Sequence, residues 1–152
     1  MMSNLRELYQ EMILEHGRCP RHFHTMPQAN RQAQGFNQLC GDSLTLYLKV
    51  EDQKISAISF KGSGCAISIA SASLMSEILQ GKTVREAEAL FQIFHQLLTR
   101  EIPSPEKIEH LEKLAVFSGV RAYPVRVKCA TLAWHTLLAA LQQKNEIVST
   151  ED

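Results

Sequence analysis

No stretch of this chain approaches the roughly 20 consecutive apolar residues that span a bilayer, so no transmembrane helix and no membrane partner are expected. Nor does one charge dominate: 16 Lys and Arg stand against 16 Asp and Glu, a formal net charge of zero. A general electrostatic binder of nucleic acid needs surplus cations to neutralise phosphates, and that class is set aside. The opening residues, Met1-Met2-Ser3-Asn4-Leu5-Arg6-Glu7, lack a basic segment followed by an apolar one, so a cytoplasmic chain without a secretory leader is expected. Cysteine is scarce, and its four copies contain no C-x-x-C pair, so spacing alone gives no zinc motif. In a reducing compartment those four remain thiols, available as metal ligands, nucleophiles or small core residues. What is present is ordinary: 45% hydrophobic and 21% charged residues over 152 positions, which excludes wholesale disorder and fits one domain, residues 1–152.

Hydrophobic spacing predicts the elements. Leu5, Leu8, Tyr9, Met12 and Ile13 recur at helical intervals over 4–16, with Asn4 and Glu7 as a capping box and Gly17 as a stop. Residues 18–40 read as loop with a short strand near 31–36. Strict alternation of Leu44, Leu46, Leu48 and Val50 predicts a half-buried strand over 43–50. Glu51-Asp52-Gln53 is a turn, and 54–61 is the second arm of a hairpin, with a bulge where the alternation slips at Ala57. Helices follow over 66–80 (stop at Gly81), from a Thr83/Glu86 capping box through Leu98, from Ser104-Pro105, and over about 125–143. Residues 144–152 read as a flexible polar tail. Strands first and helices later imply an α+β domain: a small antiparallel sheet with helices on one face.

The cysteines stand out by context. Cys40-Gly41-Asp42 precedes a strand, where residues i and i+2 point the same way, so a thiol and a carboxylate converge if Gly41 supplies the bend. Cys65 follows Gly62-Ser63-Gly64 and opens a helix, whose dipole favours a thiolate. Cys129 lies in the first turns of the last helix beside Arg126 and Lys128, cations that also favour the thiolate. Burial of each as a small hydrophobe is the plain alternative. If the three meet Asp42, the donor set is three sulfurs and one oxygen, suited to tetrahedral zinc or, one ligand short, to a transient iron–sulfur cluster. Cys19, with His16, His22 and His24 nearby, reads as a solvated basic loop rather than a second site. His95 and His135 read as packing residues, and Trp134 as partly buried. Gly41-Asp42-Ser43-Leu44 spells the GDSL esterase signature, but no D-x-x-H follows and the serine would have no base, so esterase chemistry is rejected.

Four segments together resemble the U-type iron–sulfur cluster assembly proteins, the family of IscU, SufU and the NifU N-terminal domain: Ile13 to Arg21, Leu39-Cys40-Gly41-Asp42, Gly62 to Met75, and Val127 to Trp134. The likeness spans roughly 5–142. It implies a three-stranded antiparallel sheet with helices on one face and a site of Cys40, Asp42, Cys65 and Cys129. Lys128 stands where IscU has His, Ala122-Tyr123-Pro124-Val125-Arg126 replaces its Leu-Pro-Pro-Val-Lys segment, and 63 residues separate Cys65 from Cys129. These departures resemble SufU, while His22 departs from the family's usual Asn. The likeness to SufU implies a zinc-bound acceptor of persulfide sulfur from a PLP-dependent, SufS-like cysteine desulfurase, a sulfur relay rather than a conventional multiple-turnover enzyme. A partner side chain would displace one cysteine from zinc; Cys40 is the expected acceptor and Cys129 the second choice, with Arg126 and Lys128 in support. The alternatives are a scaffold that builds a [2Fe–2S] cluster on the same cysteines for a cluster carrier or apo-protein, and a zinc-stabilised interaction module.

Overall fold

A computed structural model describes residues 2–38, 40–99, 104–142 and 147–149. In chain order these form α1 (Met2–Arg18), β1 (Arg31–Asn37), β2 (Asp42–Glu51), β3 (Lys54–Ser63), α2 (Ala66–Leu79), α3 (Val84–Thr99), α4 (Pro105–Leu111), a 3₁₀ helix (Glu112–Val120), α5 (Pro124–Leu141) and β4 (Ile147–Ser149). β1, β2 and β3 make the expected antiparallel meander. The expected bulge is present one residue early: Lys49 faces Ala57 and Val50 faces Ile55, leaving Ser56 extra. Asp52 and Gln53 both take positive φ, as a two-residue hairpin turn requires.

Leu44, Leu46 and Leu48 share one face of β2 with Ile58 and Phe60 of β3, and all five are buried in the core with residues of α2, α3 and α5. Trp134 goes further than expected: it is fully buried, its ring 5.1 Å from that of Phe94, because α5 passes through the middle of the core. His95 and His135 do pack, forming a ring cluster with Phe91. The Thr83/Glu86 capping box closes reciprocally, with Thr83 N donating to Glu86 Oε1 and Glu86 N to Thr83 Oγ1, each at 3.0 Å.

Three expectations change. α1 begins at Met2, so Asn4 lies inside it, and it runs through Gly17 to Arg18. Gly17 is a packing residue: a Cβ there would lie 3.1 Å from the Ala66 methyl, so its bareness lets α1 close on the start of α2. The segment 144–152 is not wholly a tail, because Ile147–Ser149 adds a parallel fourth strand beside Gln34–Phe36 and pairs the open edge of β1; its other residues lie outside those described. The stretch around Cys19 is pinned rather than solvated. Arg21 N donates to Ser73 Oγ at 2.8 Å, His22 Nδ1 lies 2.9 Å from Ser76 Oγ, and Phe60 N donates to His22 O at 3.0 Å. Cys19 itself is exposed. Among the described residues no helix is long and apolar enough to cross a membrane.

Candidate metal centre

The end of the sheet that faces the start of α2 collects the cysteine motifs. Asn37 and Asp42 are the last paired rung of β1 and β2, so Cys40 sits in the short loop joining them. Gly41 turns that loop with φ near +70°, a conformation costly for any side chain, and aims Cys40 and Asp42 at one point. Asp42 is completely buried, with Cys65 N donating to its Oδ1 at 2.8 Å. Gly64 makes room for that carboxylate, since a Cβ at 64 would collide with Asp42 Oδ1. Cys65 is the N-cap of α2, and its sulfur accepts from Ser68 N at 3.5 Å. Cys129, 2% exposed, reaches the same point from the second turn of α5.

The ligand atoms of Cys40, Asp42 and Cys129 lie within 4.8 Å of one another, with the two sulfurs 2.7 Å apart. Cys65 stands just outside this trio, its sulfur 3.9 Å from Asp42 Oδ2. Four residues from three separated parts of the chain therefore meet. Burial pushes the Cys129 thiol far up, and the hydrogen bonds with Cys40 and Asp42 add to the rise. Burial also raises Cys65, against a smaller lowering by the Ser68 N–H, so the helix terminus does not win there as its position suggested. Arg126 does not lie against the sulfurs; its guanidinium stacks on the Tyr123 ring at 4.6 Å. Lys128 is half-buried, adjacent to Cys129 in sequence.

The donor set fits a thiophilic divalent ion. Three sulfurs and one oxygen match tetrahedral zinc, and a cation is the group that reverses the burial penalty on buried thiols. Metal–sulfur arms of about 2.3 Å place neighbouring sulfurs roughly 3.8 Å apart, so Cys40 and Cys129 must part by about 1 Å to straddle an ion. The loop at Gly41 supplies that freedom; the helix under Cys129 does not. One neighbour of the site escapes sequence reasoning: Asn37, fully buried, donates from Nδ2 to Cys129 Sγ at 3.8 Å. Its signal is a polar residue on the inward side of a strand, three positions before Cys40.

A family model described as the NifU-like N-terminal domain matches residues 8–130. The iron–sulfur cluster assembly scaffold protein IscU of Streptococcus pyogenes serotype M1 is 37% identical over 143 residues, 93% of this chain and 87% of that one. The zinc-dependent sulfurtransferase SufU of Bacillus subtilis is 32% identical over 136 residues, 89% of this chain and 90% of that one. A crystal structure described as that of a candidate iron–sulfur cluster assembly scaffold for the SUF system, from Fervidobacterium islandicum AW-1, superposes with a TM-score of 0.80 at 34% identity, covering 86% of this chain and 94% of the other.

Proposed function

The chain belongs to the NifU-like N-terminal domain family, and on that ground we propose its role. It serves iron–sulfur cluster assembly as a sulfur acceptor, with zinc held by Cys40, Asp42, Cys65 and Cys129, and takes persulfide sulfur from a PLP-dependent cysteine desulfurase. The observation that carries this reading is the meeting of Cys40, Asp42 and Cys129 within 4.8 Å, with Cys65 against the same carboxylate. The name of the Bacillus subtilis relative, a zinc-dependent sulfurtransferase, supports it.

Zinc, when bound, keeps its cysteine ligands deprotonated at neutral pH. The remaining chemistry belongs to the chain. Cys40 is the acceptor because it is half-buried on a loop that can move, whereas Cys129 is fixed in α5 and Cys65 is held as a helix cap. The Cys40 thiolate attacks the outer sulfur of the desulfurase persulfide. A new S–S bond forms at Cys40, the old one breaks, and the desulfurase cysteine departs as a thiolate. The exchange conserves electrons, so no outside oxidant enters. Asp42 contributes a hard oxygen among soft sulfurs and is the ligand that tunes lability. Lys128, next to Cys129 on α5, adds positive charge near a persulfide anion, whereas Arg126 is turned onto Tyr123.

A second reading has support in the names of the IscU relatives, which describe a scaffold. In it the same three cysteines hold a nascent [2Fe–2S] cluster for a carrier or apo-protein. Protein purified without added metal, assayed for metal and for its effect on desulfurase turnover, separates the readings. About one zinc per chain and a stimulated turnover that Cys40→Ala abolishes are expected. Iron with labile sulfide establishes the scaffold, and zinc without any effect on turnover leaves only an interaction module.

A further inference from the structure

We propose that Asn37 is a positioning residue that fixes the Cys129 sulfur, so that Cys129 is the stationary thiol of the site and Cys40 the mobile one. Helix α5 lies close against β1. A Cβ at Gly35 would collide with Thr136 Oγ1 and come within 3.1 Å of a Leu132 methyl, so the bare strand position lets the helix lie against the sheet. Two residues further along the strand, on the same face, comes Asn37. One turn back along the helix, on the stripe that carries Leu132 and Thr136, comes Cys129. The close approach at Gly35 therefore sets the distance at which the Asn37 amide meets the sulfur, 3.8 Å. Asn37 is fully buried and its backbone is paired with Asp42, so the rung that supplies the carboxylate also holds the amide. Among the described hydrogen bonds Cys40 has the Cys129 sulfur as its side-chain partner and no amide donor. An N–H···S hydrogen bond stabilises the sulfur lone pair and restricts its rotation. The restriction keeps Cys129 in place and leaves the loop cysteine to exchange. This consequence for sulfur transfer rests on the sulfur-acceptor reading above, whereas the hydrogen bond itself does not.

The test is the rate of iodoacetamide labelling of each cysteine, resolved by peptide mass spectrometry, in chelator-treated and zinc-loaded protein. Asn37→Leu keeps the branched shape without a donor, and Asn37→Ala serves as a second variant. In both, Cys129 labelling is expected to rise by up to about tenfold relative to Cys65, the scale of one lost hydrogen bond, as the freed sulfur samples more orientations. In the cobalt-substituted protein the sulfur-to-metal charge-transfer band is expected to move to lower energy, because the sulfur lone pair is no longer stabilised. An unchanged Cys129 to Cys65 ratio overturns the proposal, as does an equal rise at Cys40, Cys65 and Cys129, which marks general loosening. Absence of zinc from purified protein defeats the sulfur-acceptor reading instead, and the labelling ratio in chelator-treated protein still decides the role of Asn37.

Discussion

Helix α2 takes part in two polar clusters that differ in kind. At its N-terminus Cys65 meets Asp42, which is grouped with Cys40 and Cys129. Along its middle, Ser73 and Ser76 meet His16, His22 and the backbone of Arg21. In the second cluster the partners complete one another. Ser73 Oγ accepts from Arg21 N at 2.8 Å and shares a hydrogen bond with His16 Nδ1 at 2.7 Å, while His16 Nε2 lies 3.6 Å from Glu77. In the first cluster acidic groups crowd together, and burial opposes ionisation of the Cys65 and Cys129 thiols. A cluster whose polar atoms satisfy each other holds two helices together; a crowd of thiols around a buried carboxylate has the donor set that could hold a cation.

Substitutions should separate the two clusters. Asp42→Ala has the largest expected effect: loss of metal from the purified protein and of desulfurase stimulation, read by elemental analysis and turnover, since it removes both a donor and the acceptor for Cys65 N. Gly64→Ala comes next. Its Cβ displaces the Asp42 carboxylate, and metal affinity measured by chelator competition is expected to fall about tenfold or more. On the other side, Ser73→Ala should cost about 1–3 kcal/mol in denaturant unfolding while metal content stays as it was. His16 adds a pH signature. Burial, and then Arg21, depress its pKa below the ordinary 6.5, so the unfolded chain binds the proton more readily than the fold. The stability it contributes is full above about pH 6.5 and falls as pH drops from there toward the depressed value. His16→Gln should flatten that decline in part, because the depressed His135 still contributes its share. The smallest effect belongs to Gly17→Ala, with a loss of about 1 kcal/mol from the tightened α1–α2 contact.

The same contrast governs what the sequence disclosed. The meander was legible because Leu44, Leu46 and Leu48 alternate, and α3 because Thr83 and Glu86 are a local pair. The residues of the site stood out because Cys40 and Cys65 lie at junctions between elements and Cys129 in the early turns of a helix. What local patterns could not carry is contact between distant segments. Gly17 looks like a helix stop until Ala66 packs on it, the Arg18–His22 stretch looks solvated until Ser73 and Ser76 pin it, and Asn37 looks like an ordinary strand end until α5 brings Cys129 over it. The thiols illustrate a competition of magnitudes: the helix terminus at Cys65 was visible, but burial outweighs it, and at Cys129 burial is again the largest influence.

The proposed function requires that Cys40, Asp42, Cys65 and Cys129 hold one ion. Zinc K-edge X-ray absorption on protein purified without added metal reads that coordination shell. Three sulfurs at about 2.3 Å and one oxygen at about 2.0 Å are predicted; a shell dominated by nitrogen or oxygen, or no bound zinc at all, would contradict it.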